Sequence, residues 1–97
     1  MPTGPLTPPH LTVRPSLTLN AAILFWTLVP GAQSYYVYVK DVTKGTPFKR
    51  LPYPLSPKQN PWTAGLLVAG HIYTFKLQAC KGSDCGAYSN SANVTAP

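Results

Sequence analysis

The most regular pattern in the chain runs from His71 to Cys80, where Tyr73, Phe75, Leu77 and Ala79 alternate with Ile72, Thr74, Lys76 and Gln78. Alternation with period two marks a strand with one buried face, so the first set is predicted to be core and Lys76 and Gln78 to face solvent. Ser34 to Val42 alternates as well. Placing Tyr35, Val37 and Val39 inward sends Tyr36, Tyr38 and Lys40 outward, whereas the opposite register would bury Tyr36 and Tyr38. In Leu17 to Leu28, Ala22, Leu24 and Trp26 share a face, and Ile23 and Phe25 make the other face apolar too. That second face is either covered, by a neighbour or by the N-terminal segment, or left as an exposed apolar patch.

Shorter strands are predicted at Leu11 to Arg14, Phe48 to Leu51, Trp62 to Ala64 and Tyr88 to Thr95, separated by turn signals at Pro30-Gly31, Lys44-Gly45 and Gly70. Prolines at 30, 47, 52, 54, 57 and 61 exclude a helix of ordinary length in the middle of the chain, and Pro52, Pro54 and Pro57 make the preceding strand an edge. The reading is all-β. At 97 residues the chain accommodates one hydrophobic core and hence one domain. Met1 to Pro9, with prolines at 2, 5, 8 and 9, is expected to be an extended linker (1–9) leading into a domain over 10–97, the alternative being a disordered terminus.

Composition changes this picture in two respects. Charged residues make up only 10% of the chain, and eight Lys+Arg against two Asp+Glu leave a net charge of +6, so an anionic partner enters consideration. The bases are dispersed, with Lys49-Arg50 the sole adjacent pair, and no basic run of the kind that grips nucleic acid is present. The charge is read mainly as a solvated surface. No apolar stretch approaches the roughly 20 residues of a membrane helix, and Met1 to Pro9 lacks the charged and apolar blocks of a secretory signal.

Cys80 and Cys85 frame the segment C-K-G-S-D-C, a spacing that fits neither a C-x-x-C redox motif nor a zinc site. If they lie across a tight hairpin, Gly82 and Asp84 let the chain reverse and bring the sulfurs into bonding range. A local disulfide is expected, with an extracellular location following from it; two reduced surface thiols in a cytosolic protein are the alternative.

Three segments together resemble the fibronectin type III family over about Pro9 to Ala96. The first is L-F-W-T-L-V-P-G-A followed by Y-Y-V-Y-V, in which Trp26 takes the place of the family's core Trp. The second is L-L-V-A-G-H-I-Y-T-F-K-L-Q-A, in which Leu67, Gly70 and Tyr73 match the tyrosine corner. The third is G-A-Y-S-N-S-A-N-V-T-A, whose Ser89-Asn90 pair is similar to that of the last family strand. The resemblance implies a seven-stranded, immunoglobulin-like Greek-key sandwich. Its core would include Trp26, Leu67, Tyr73, Phe75 and Leu77, and the Tyr73 hydroxyl would bond backbone a few residues upstream. The wording around D-V-T-K-G-T-P-F-K-R-L-P-Y-P-L looks most like modules appended to secreted bacterial proteins, including polysaccharide-degrading enzymes. Two departures stand out: most members lack the cysteine pair, and the loop Lys81-Gly82-Ser83-Asp84 lacks the Arg-Gly-Asp of integrin-binding members.

Candidate chemistry is sparse. The carboxylates Asp41 and Asp84 read as turn or strand-end residues, and a glycosidase would need a facing pair. No G-x-S-x-G surrounds a serine, no phosphate-binding glycine loop is present, and His10 and His71 read as surface or edge histidines. No catalytic residue, metal site or cofactor is expected. What remains is a surface: Tyr36, Tyr38, Lys40, Lys76 and Gln78 outward on neighbouring strands, with Arg50, Tyr53 and Trp62 near the edge. Such aromatics stack on sugars or grip a protein partner, although Tyr and Trp are also favoured in strands for packing alone, and Trp62 can equally fill the rim of the core. Asn93-Val94-Thr95 fits a glycosylation acceptor.

The expectation is a monomeric, secreted, noncatalytic module that spaces or orients neighbouring domains of the same polypeptide, in a polysaccharide-acting hydrolase. The alternatives are a module that binds glycan or a protein surface through the aromatic and basic face, and, more weakly, an adhesion or receptor ectodomain fragment.

Overall fold

The computed structural model describes residues 6–17 and 20–97. The strands, in chain order, are β1 (Leu11–Pro15), β2 (Ala22–Trp26), β3 (Ser34–Asp41), β4 (Lys49–Arg50), β5 (Trp62–Ala64), β6 (Ile72–Lys81), β7 (Asp84–Tyr88) and β8 (Ala92–Thr95), with one 3₁₀ turn at Pro57–Gln59. They form two antiparallel sheets. One has the order β1-β2-β5; the other runs β4-β3-β6-β7, with β8 also paired to β6. The chain changes sheet between β2 and β3, between β4 and β5, and between β5 and β6, which closes a Greek-key sandwich around one core.

The alternation of the long strands becomes the core. Tyr35 and Val37 of β3 and Phe75, Leu77 and Ala79 of β6 are buried, and they face Leu11 of β1 and Ala22, Leu24 and Trp26 of β2. Leu67 packs against this cluster from the loop before β6. The β3–β6 ladder, in register from Ser34↔Cys80 to Asp41↔Tyr73, settles the orientation of β3: Tyr36 and Tyr38 point away from the core. In β2 the second apolar face is half-buried, and the Arg14 guanidinium of β1 lies 4.8 Å from the centre of the Phe25 ring. A long basic side chain shields apolar surface in this way while keeping its head in water.

Several boundaries are shorter than the pattern suggests. Residues 18 and 19 of the expected Leu17 to Leu28 strand lie outside the described residues, and the paired segment is Ala22–Trp26. The expected last strand, Tyr88 to Thr95, starts earlier and is broken in two. The Ser89 hydroxyl accepts the Leu77 N–H at 2.9 Å and donates to the Asn90 carbonyl at 2.8 Å, so a side chain takes over a ladder bond and the chain steps out of the sheet.

The Asn90 side chain uses that step to reach the other sheet. Its Oδ1 accepts the Leu11 N–H at 2.8 Å, and its Nδ2 donates to the Leu11 carbonyl at 2.9 Å. At the opposite end, the Tyr73 hydroxyl accepts the Val68 N–H at 2.8 Å, the corner bond that the family resemblance implied. Gly70, inside this corner, has φ +83°, a left-handed conformation that side chains with a Cβ resist.

Of the proline-rich N-terminal segment, residues 1–5 lie outside the described residues. Leu6 packs against the core cluster, and a Cβ placed on Gly86 of β7 would overlap the Leu6 carbonyl oxygen. The bare glycine therefore lets the segment lie directly on β7. Among the described residues, no helix is long and apolar enough to cross a membrane.

Candidate binding face

The outer face of the larger sheet collects the outward residues of β3, β4, β6 and β7. The register sets Tyr38 opposite both Arg50 and Lys76, Tyr36 opposite Gln78, and Gln78 opposite Tyr88. Because the strands are twisted neighbours, each long cation reaches a ring on the next strand. The Arg50 guanidinium sits 4.6 Å over Tyr36. The Lys76 ammonium lies 3.9 Å from the Tyr88 ring centre, 4.3 Å from Phe48 and 5.8 Å from Tyr38. Lys40 covers Phe48 at 4.8 Å. Cation–π attraction holds these heads in place more firmly than a bare surface holds a lysine.

The rings are also held against each other. Tyr38 and Tyr88 meet edge to face, with centroids 5.1 Å apart. The Tyr38 hydroxyl donates to Gln78 Oε1 at 3.3 Å, and Gln78 Nε2 donates to the Gly86 carbonyl at 2.8 Å. Partial burial, then the adjacent Tyr88 hydroxyl, pushes the Tyr38 phenol above its ordinary value, and Arg50 offsets only part of this. Tyr38 therefore stays a neutral donor throughout the physiological range.

Of the residues expected on this face, Tyr36, Tyr38, Lys40, Arg50, Lys76 and Gln78 come together. Trp62 is on β5, in the other sheet, where its place opposite Leu24 turns it towards the core rim. Tyr53 is exposed in the loop after β4, between that strand and the isolated bridge of Leu55 to Tyr35. Phe48 and Tyr88 belong to the face and were not anticipated. Phe48 immediately precedes a two-residue strand that has no periodicity of its own, and Tyr88 sits past the irregularity in the β6–β7 pairing.

The two carboxylates of the chain are elsewhere. Asp84 opens β7 at the hairpin, in register with Lys81. Asp41 ends β3; its Oδ1 accepts the Lys44 N–H at 2.9 Å and its Oδ2 lies 2.8 Å from His71 Nδ1. Desolvation pushes the Asp41 carboxyl up, but hydrogen bonds from His71, the Lys44 backbone and Tyr73 outweigh it and hold the group below its ordinary value. A paired His and Asp is half of a nucleophile-activating arrangement. Here the carboxylate is also the cap of the β3–β4 turn, and the nearby Thr43 hydroxyl accepts the Ile72 N–H. The group closes a turn and ties it to the tyrosine corner. Among the described residues, no cluster of His, Cys, Asp and Glu is arranged to hold a metal ion.

Cys80 and Cys85 are directly opposite each other across the β6–β7 hairpin and are joined in a disulfide, with their Cα atoms 4.1 Å apart. Cys80 is fully buried, so the bond anchors the exposed hairpin to the sheet.

No protein-family model matches the sequence, and neither does any curated protein. Solved structures do match. A Fn3-like protein from Clostridium thermocellum superposes with a TM-score of 0.79 at 22% identity, covering 97% of this chain and 96% of that one. The chain has the fibronectin type III fold. The fn3 domain of human collagen alpha-1(XX) chain matches with a TM-score of 0.73 at 21% identity, over 100% of this chain and 90% of that one. A β-1,2-glucanase from Parabacteroides distasonis matches with a TM-score of 0.74 at 17% identity, over 93% of this chain and only 12% of the glucanase. In fibronectin type III terms, β1, β2 and β5 are the smaller sheet, and β7 with β8 is the last strand of the larger one, interrupted at Ser89 to Ser91.

Proposed function

We propose that this chain is a noncatalytic accessory module of a secreted multidomain protein that acts on polysaccharide, where it sets the distance and direction between neighbouring domains. The observation that carries this reading is the placing of the two ends of the sandwich. β1 begins opposite Trp26, at one pole, and β8 ends opposite Ile72, at the other. A polypeptide that enters at one pole and leaves at the other is spaced by the length of a stiff sandwich instead of by a flexible coil.

Other observations support parts of the reading. The same fold occurs as a small fraction of a β-1,2-glucanase. Asp41 and Asp84 are committed to a turn and a hairpin, which leaves no facing carboxylate pair for glycoside hydrolysis. The disulfide fits an oxidising, extracellular setting.

In-frame deletion of the module from its parent polypeptide tests the proposal. Turnover of a soluble substrate is expected to persist while activity on the insoluble polymer falls; equal loss on both would refute it.

A further inference from the structure

The basic face has cations without counter-charges. Among the described residues the ion pair present is His71 with Asp41, and neither carboxylate of the chain is bonded to Lys40, Arg50 or Lys76. These heads are held over rings, so less side-chain freedom is lost when they bind something else. We propose that this face binds an acidic polysaccharide, a glycan carrying uronate carboxylates, along the row Arg50, Tyr38, Lys76. The choice of a polysaccharide over other polyanions draws on the accessory role proposed above; the charge argument does not.

Three features select this ligand chemistry. First, the ring faces are already covered: Tyr36 by Arg50, Tyr88 by Lys76, and Phe48 by Lys40 and Lys76. A neutral sugar that stacks on an aromatic face would have to displace a cation, whereas a carboxylate meets the cation where it stands. The same covering disfavours single-stranded nucleic acid, which depends on bases stacking on open rings.

Second, Tyr38 is opposite Arg50 on one side and Lys76 on the other. The backbone positions of Arg50 and Lys76 are therefore two strand spacings apart, about 10 Å, a span that a disaccharide of an extended chain can follow. Third, the surface between them is an open sheet face with a neutral phenol oxygen at its centre, which gives its proton to Gln78 and can accept one from a sugar hydroxyl, and with no acid to repel the ligand; this suits a stiff hydroxylated polymer better than a compact small molecule.

The test is NMR titration of the 97-residue chain with oligogalacturonate, alongside a neutral cello-oligosaccharide, a heparin oligosaccharide and an oligothymidylate. Oligogalacturonate is expected to shift the amides of Tyr38, Arg50 and Lys76 and to weaken as salt is raised. Arg50→Gln and Lys76→Met should each reduce affinity by about tenfold, the loss of one charge-assisted contact. The double variant K44Q/K58Q removes charge from exposed positions outside this face and should leave affinity unchanged. Unchanged thermal midpoints for Arg50→Gln confirm that the fold survives, and Lys76→Met keeps the aliphatic stem for the same reason. The proposal is overturned by no binding, by preference for the neutral, sulfated or nucleotide oligomer, or by equal loss in K44Q/K58Q. None of those results bears on the spacing role, which the deletion experiment tests separately.

Discussion

Asn90 holds Leu11 by both of its backbone groups, accepting the Leu11 N–H at 2.8 Å and donating to its carbonyl at 2.9 Å. One carboxamide thus imitates a strand neighbour and joins the first strand of one sheet to the break in the last strand of the other. Leu11 is itself buried, and removing the clamp takes the Asn90 partner from both its amide and its carbonyl. Asn90→Ala should lower unfolding free energy by about 1–3 kcal/mol. Urea denaturation measures this, and a midpoint equal to that of the parent chain would show that the clamp contributes nothing.

The contact of Leu6 with Gly86 predicts a second effect. Gly86 does not have a positive φ, so the cost of a side chain there is steric: the added Cβ meets the Leu6 carbonyl, which is backbone and must move bodily. Gly86→Ala is expected to cost ~1–3 kcal/mol and to speed hydrogen exchange in the segment just before β1. If stability and exchange are both unaffected, the segment is not held against β7.

Asp41 gives a pH dependence with a definite sign. Its carboxyl has a lower pKa folded than unfolded, so the stabilisation is present above the ordinary carboxylate value and is lost as pH falls through the lower folded value. Stability should therefore decline in acid below the ordinary value of 3.8, and Asp41→Asn should flatten that part of the profile. Thermal midpoints between neutral pH and strong acid, recorded for both chains, make the comparison; parallel profiles would exclude Asp41 as the source.

The disulfide closes a short loop, with a sequence separation of 5. Loop-closure arguments assign such a bond roughly 2 kcal/mol, less than a long-range crosslink. The double variant C80A/C85A should remain folded with a modestly lower denaturation midpoint, and loss of folding would mean that the hairpin depends on the bond far more than its length implies.

Much of the fold was legible because β6 alternates cleanly, so Tyr73, Phe75 and Leu77 could be placed by period alone, whereas β3 carries tyrosines on both faces and only its pairing with β6 shows that Tyr35 and Val37 are the inward set. The face of β2 that carries Ile23 and Phe25 was ambiguous, because its cover is the Arg14 side chain from another strand, a relation that appears only with the register. Trp62 ended on the other sheet because a three-residue strand carries no signal for the sheet that it joins. Phe48 and Tyr88 complete the aromatic face through contacts across strands, and the Asn90 clamp spans 79 residues, so no local pattern announces any of them.

The spacing role is tested most directly by replacing the module in its parent with a Gly/Ser linker long enough to span the same distance. Activity on insoluble polymer is expected to fall to the level of the deletion while soluble-substrate turnover is unchanged, because reach without stiffness does not fix direction. Full activity on the insoluble polymer with the flexible linker would contradict the spacing role.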